Sequence, residues 1–256
     1  MHRHPAGSGT DSPHRVHANR RARKRARRAQ TVAGISPVRD TLLSMRLYLV
    51  RHGQTDWNVQ KRAQGHTDRP LDSTGQQQAK LVGRAFLDLP VQRILTSDLK
   101  RAEQTADEIA RQTRVPLEIL PELRERGFGE WEGQNFAEIA IRFGFEADFK
   151  GVTRNDVTPP GGESFGEVWS RLESVVRDVR TRNENTAIVA HGGTCSLLMA
   201  MFLNGDVSLS NAFRFSNASI NELEPRPDGG LRLIRYNDVS HLAGVDVIHG
   251  VADGSR

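Results

Sequence analysis

Cysteine is almost absent: Cys195 is the only one in 256 residues. A lone thiol forms no internal disulfide and no cysteine-based metal cluster, so neither device holds this chain together. That usage fits a reducing compartment, and a cytoplasmic location is expected. Long apolar runs are missing as well. None approaches the roughly 18 consecutive residues of a membrane-spanning helix, and the first residues carry no apolar stretch of the kind a secretory signal needs. Aromatic residues make up only 6% of the chain and hydrophobic residues 37%. A chain of this length still encloses a self-sufficient core, in one α/β domain or two smaller ones.

Acidic residues are scarce in one region only. The formal net charge is +5, which for a whole chain would point to nucleic acid. Residues 1–44, however, hold 10 Lys and Arg against 2 Asp and Glu, a net of +8. The remaining 212 residues hold 26 against 29, a net of −3. The basicity belongs to a tail, and seven of its cations fall between Arg20 and Arg28. Such a segment buries too little apolar area to offset chain entropy, so 1–44 is expected to be a disordered basic extension. It reads either as an arm for nucleic acid or an anionic membrane surface, or as a solvated extension with Met45 as an alternative start. A transit peptide is a third, weaker reading. The folded domain is expected over 45–256.

The first strong structural signal is Arg46-Leu47-Tyr48-Leu49-Val50, a short apolar run rich in strand formers that stops at Arg51-His52-Gly53. A second such run, Thr186–Ala190, stops at His191-Gly192-Gly193, and a third, Arg93–Thr96, stops at Ser97-Asp98. Leu117–Leu120 is a fourth candidate. Helical periodicity lies between them. Ala79, Val82, Phe86 and Leu89 share a face behind a cap at Ser73 or Thr74, as do Ala102, Ala106, Ile109 and Ala110. Phe165, Val168, Leu172, Val175, Val176 and Val179 mark a long amphipathic helix, and Leu197, Leu198, Met201 and Phe202 another. Stretches 213–222 and 231–236, joined through Pro227-Asp228-Gly229-Gly230, read as a hairpin. Strands alternating with helices imply an α/β fold, a three-layer sandwich with a mostly parallel central sheet flanked by helices.

In open sheets of this kind, ligands bind beyond the carboxyl ends of the strands. Here two such ends carry a histidine, His52 and His191, each followed by glycine. The helix after Gly192-Gly193 offers free N–H groups and the positive end of its dipole. Arg51 adjoins His52, and Arg101 falls on the first turn of the helix after Arg93–Thr96. Two guanidinium groups and two imidazoles converging on one crevice suit a phosphate. No metal or other cofactor is implied, because His52, His66, His191, His241 and His249 show no short ligand spacing. Cys195 reads as a small buried hydrophobe.

The segment Leu49-Val50-Arg51-His52-Gly53-Gln54-Thr55-Asp56-Trp57-Asn58 resembles the signature of the histidine phosphatase superfamily, the phosphoglycerate-mutase-like enzymes. Further segments match in the same order: Arg62-Ala63-Gln64-Gly65, Asp68-Arg69-Pro70-Leu71, Ser97 to Thr105, Leu123 to Gly133, Pro160-Gly161-Gly162-Glu163-Ser164 and Ala190-His191-Gly192-Gly193. Asn217-Ala218-Ser219-Ile220 and Asn237-Asp238 fit as well. The resemblance spans about 45–241 and leaves the tail out. It departs from the commonest signature at Gln54, where the family more often has glutamate.

The resemblance implies that His52 is the nucleophile and becomes a phosphohistidine. It implies that Arg51, Arg101 and His191 hold the phosphoryl oxygens, assisted by Asn58 and the Gly192 amide, and that Thr55, Arg62, Gln64 and Gly65 complete the phosphate and substrate contacts. Glu125 becomes the group that protonates the leaving oxygen and later deprotonates the attacking water. The expected activity is that of a metal-independent, histidine acid-type phosphatase acting on a small phosphomonoester. A cofactor-dependent phosphoglycerate mutase is the alternative, and it would need a long basic insertion before the second histidine. Only 66 positions separate Glu125 from His191, and between Gly133 and Gly161 the only bases are Arg142, Lys150 and Arg154. A non-catalytic phosphate-binding protein with a nucleic-acid-binding arm is a second alternative. Phe136, Phe143, Phe145 and Phe149 read either as an apolar cap over the substrate or as ordinary packing. A homodimer is compatible with the resemblance.

Overall fold

The computed structural model describes residues 45–142 and 157–248. The basic tail, Phe143, Phe145, Phe149, Lys150, Arg154 and His249 lie outside the described residues. Among the described residues six strands form one sheet: β1 (Leu47–Arg51), β2 (Arg93–Thr96), β3 (Leu117–Ile119), β4 (Thr186–Ala190), β5 (Ile220–Pro225) and β6 (Leu231–Asp238). Their spatial order is β3-β2-β4-β1-β5-β6. The first four run parallel, and β5 and β6 add an antiparallel edge beside β1. The helices are α1 (Asp56–Val59), α2 (Ser73–Ala85), α3 (Lys100–Thr113), α4 (Phe136–Arg142), α5 (Phe165–Arg182) and α6 (Gly192–Phe202).

Three layers follow from the period-two alternation of strand side chains. Leu47, Leu49, Leu95 and Ile188 point to one face, where they pack with Phe165, Leu172 and Val179 of α5 and Leu198 and Phe202 of α6. Tyr48, Val50, Ile94, Ala187 and Val189 point to the other, against Val82 of α2, Phe86 just beyond it, and Ala106 and Ile109 of α3. The central strands are buried on both faces, which is why β1 and β4 read as continuous apolar runs rather than alternating ones. Helix α6 has ten of its eleven residues buried, so its sequence is apolar all round. No described helix is long and apolar enough to cross a membrane.

Two local expectations are corrected. The cap of α2 is Asp72, whose carboxylate accepts from the Gly75 N–H at 2.8 Å, so Ser73 lies inside the helix. The hairpin begins at Ile220 rather than at 213. Residues 216–219 form a turn closed by Ser219 N–H donating to the Ser216 carbonyl at 3.1 Å, with Ala218 at φ +58°.

Candidate active site

The sheet brings the two histidines together. Strands β1 and β4 are parallel neighbours with Arg51 opposite Ala190, so the residues after them, His52 and His191, emerge side by side. The His52 N–H extends the ladder by one bond, to the Ala190 carbonyl at 2.9 Å. The two rings lie 5.2 Å apart between centroids, and both side chains are buried.

Their partners settle the protons. His52 Nδ1 lies 2.6 Å from the Gly53 carbonyl oxygen, which can only accept. Nδ1 therefore carries the proton, and Nε2 keeps its lone pair. His191 is the mirror case. Arg101 Nε donates to His191 Nδ1 at 3.2 Å, so in the neutral ring the proton sits on Nε2. That buried atom has no hydrogen-bond partner among the described residues. Burial first, and then the charges of Arg101 and neighbouring groups, hold both imidazoles well below their ordinary pKa. At neutral pH both rings are uncharged, one presenting a lone pair and the other an N–H.

Two buried cations flank them. Arg101 is carried on the first turn of α3, after β2, and its terminal nitrogens donate to the carbonyls of Thr67 (3.0 Å) and Gly65 (2.8 Å). Burial lowers its pKa to about 10, so it stays charged at neutral pH. Arg51 donates through Nη1 to the Phe215 carbonyl at 2.6 Å, while its Nε has no partner among the described residues. Neither guanidinium has a carboxylate in hydrogen-bonding contact among the described residues, an arrangement that favours a bound anion.

Glu125 follows a short 3-10 turn over Pro121–Leu123. Its carboxylate accepts from the N–H of Gly193 (3.0 Å) and Thr194 (3.2 Å), at the start of α6, and from its neighbour Arg126 (2.9 Å). A side chain at Gly193 would push the Glu125 carboxylate out of this position, because a Cβ there would come within 2.7 Å of Glu125 Oε1. Behind Glu125 lies a clamp. His66 Nε2 donates to the Glu125 carbonyl (2.8 Å), and so does Arg171 (3.0 Å). Arg171 also binds Glu163, which in turn accepts from the Gly127 N–H at 2.7 Å. Burial alone would raise the Glu163 carboxyl, but hydrogen bonds from His66, Arg171 and the Gly127 amide hold it well below the usual carboxylate range. The same bond raises His66.

One pocket gathers most of the expected residues. Arg51, His52, Asn58, Arg62, Gln64, Gly65, Arg101 and Glu125 line it, together with Phe128 and Phe136. Thr55 stands beneath it, fully buried, as the N-cap of α1, its hydroxyl near Asn58 Oδ1 (3.0 Å) and Gln64 Oε1 (3.1 Å). At α6 the amides engaged by Glu125 are those of Gly193 and Thr194, one and two positions beyond Gly192. Phe136 both borders the pocket and packs edge-on against Phe128, with centroids 5.9 Å apart. Gln54 donates to the capping carboxylate of Asp72 at 3.0 Å, a contact that a glutamate would turn into repulsion. The Glu163–Arg171–His66 clamp was not assigned from sequence, although Glu163 lies in a matched segment. Among the described residues no group of three or more His, Cys, Asp or Glu is arranged to hold a metal ion.

Known proteins share this arrangement of segments. Residues 47–239 match the family described as histidine phosphatase superfamily (branch 1). A Bacillus subtilis (strain 168) protein named "Uncharacterized phosphatase PhoE" is 34% identical over 198 residues, covering 77% of this chain and 96% of its own. A Proteus mirabilis (strain HI4320) protein named "Probable phosphoglycerate mutase GpmB" is 32% identical over 211 residues, covering 78% and 96%. Among solved structures, mycobacterial glucosyl-3-phosphoglycerate phosphatase Rv2419c in complex with VO3 is similar with a TM-score of 0.67 and 30% identity, over 76% of this chain and 99% of that one. The chain belongs to the histidine phosphatase superfamily, in its branch 1.

Proposed function

We propose that the protein is a metal-independent phosphomonoester hydrolase of the histidine acid type that acts through a phosphohistidine at His52. The observation that carries this reading is the bond from His52 Nδ1 to the Gly53 carbonyl, which leaves Nε2 unprotonated in a pocket walled by Arg51 and Arg101. In the first step Nε2 attacks phosphorus in line and the P–O bond to the leaving group breaks, with the Glu125 carboxyl giving its proton to the departing oxygen. In the second, water attacks the phosphohistidine while Glu125 takes its proton, and inorganic phosphate leaves. Arg51, Arg101, Asn58 and the His191 Nε2–H neutralise the equatorial oxygens, so fixed cations and donors supply the charge stabilisation.

The pocket is about 50 Å³, far below the roughly 300–1,000 Å³ that encloses a drug-sized ligand. It suits the phosphoryl group, with the remainder of a small phosphorylated metabolite at the rim beside Arg62, Phe128 and Phe136. Hydrolysis is favoured over mutase chemistry by the short interval between Glu125 and His191, 18 residues of which are α5. Phosphate release by the full chain in excess EDTA tests the reading. The panel holds p-nitrophenyl phosphate, 3-phosphoglycerate, α-ribazole phosphate and sugar phosphates, each beside His52→Ala. Release that survives the chelator and disappears in His52→Ala is expected. Near-normal turnover by His52→Ala overturns the mechanism, and release that stops with EDTA overturns metal independence.

A further inference from the structure

We propose that Asn217 is a positioning residue for the nucleophile, one carboxamide that fixes both the His52 loop and the orientation of Asn58. The proposal rests on the hydrolase reading above. Asn217 is fully buried in the turn 216–219, more than 150 positions along the chain from His52. Its Nδ2 lies 3.0 Å from the His52 carbonyl, 3.3 Å from the Gly53 carbonyl and 3.2 Å from Asn58 Oδ1. Two of these partners are backbone carbonyls, which only accept, so the atom facing them is the nitrogen.

Two consequences follow from those contacts. The Gly53 carbonyl is the group that accepts the hydrogen bond from His52 Nδ1–H. Holding that oxygen in place holds the tautomer that leaves Nε2 free to attack. Asn58 Oδ1 accepts from the Thr55 N–H (3.0 Å) as well as from Asn217. With its oxygen engaged on the protein side, Asn58 has its NH2 left as the donor to a phosphoryl oxygen. Asn217 thus acts on the reaction through His52 and Asn58.

The surrounding chain is built around this placement. The N–H of Ala218 donates to the carbonyls of both Arg51 (3.0 Å) and His52 (3.1 Å). Ala218 reaches them from φ +58°, a left-handed conformation that costs a residue other than glycine about 1 kcal/mol or more. Asn237 of β6 braces the turn from outside, accepting from the Ser216 N–H at 2.7 Å and donating to the Ser216 hydroxyl at 3.1 Å. Both sequence segments near the C-terminus that resemble the family therefore meet at this turn.

Asn217→Ala and the same-shaped Asn217→Asp, made in the full chain, test this with two readouts. Steady-state hydrolysis should show kcat lowered by roughly 10–100-fold, the range found when an outer partner of a functional ligand is removed, with KM moving by less than about threefold. Nitrogen-15 spectra of the histidine rings, with His52 assigned through His52→Gln, should show the Nδ1–H form in the parent and its partial or complete loss in the variants. A kcat within twofold of the parent, or a lowered kcat with the His52 signal unchanged in whichever variant folds, overturns the proposal. If the parent releases no phosphate, the hydrolase reading fails, and the ring spectra alone decide for or against Asn217.

Discussion

Arg101 heads the largest fully buried side chains of the protein, and it reaches neutral pH still charged. Its bonds go to two carbonyls and one imidazole, none of which carries a negative charge. Arg101→Ala should therefore lower kcat/KM on the order of 10²–10³-fold, as the loss of one oxyanion-type donor does. Inorganic phosphate should raise the Tm of the parent, because a ligand that binds only the folded state stabilises it. That rise should shrink sharply in Arg101→Ala. An equal rise in both proteins would place the anion elsewhere. Arg101 was legible in the sequence because a helix follows Ser97 at a strand end. Its four-residue spacing from Ser97 separated it only slightly from Lys100, and the matched segment made the choice. Glu125 gave no such local signal. It sits among charged neighbours, and the amides that hold it lie 68 and 69 positions further on.

At the scale of elements, the strands were readable because burial on both faces leaves nearly unbroken apolar runs. Their neighbour order was not, because β1 and β4 meet across about 140 residues of chain and no local period encodes that. The turn 216–219 was hidden for a related reason. Phe213, Phe215 and Ile220 look like strand, yet the chain curls at Ala218 so that Asn217 reaches the carbonyls just after β1. The Glu163 clamp joins the loop of Glu125 to α5 in the same non-local way. Glu163→Gln removes the charge shared by His66 and Arg171 and should cost about 1.5–3 kcal/mol, the worth of hydrogen bonds to an ionised group. Chemical denaturation would check the stability, and the kcat of the folded variant would report how far the Glu125 loop has loosened. Unchanged stability would show that the clamp carries no net energy.

Across the whole molecule, titration ties the site to stability. His52 and His191 have folded pKa values below the ordinary 6.5, as does His241, chiefly through burial. Below about pH 6.5 the unfolded chain binds protons that these folded rings refuse, so stability falls as the solution becomes acidic. Each deeply buried ring contributes a slope of at most about 1.4 kcal/mol per pH unit. His66 has the opposite sign: its raised pKa adds stability below 6.5 that is lost as pH rises through the folded value. Among the described residues more rings are lowered than raised, so Tm should drop between pH 7.5 and 5.5, and His191→Gln should flatten that drop. A Tm that is level or rises towards acid would mean the paired imidazoles are not held neutral.

The burial of Arg51 and Arg101 has a last consequence, for the timing of turnover under the proposed mechanism. Both cations lose their water as the chain folds, before any substrate arrives. The inorganic phosphate that remains after hydrolysis presents the same oxygens to the same dehydrated charges as the substrate did. The second product is thus a competitor of the first reactant. Its departure, rather than the breaking of a bond, is the step at which the cycle would stall.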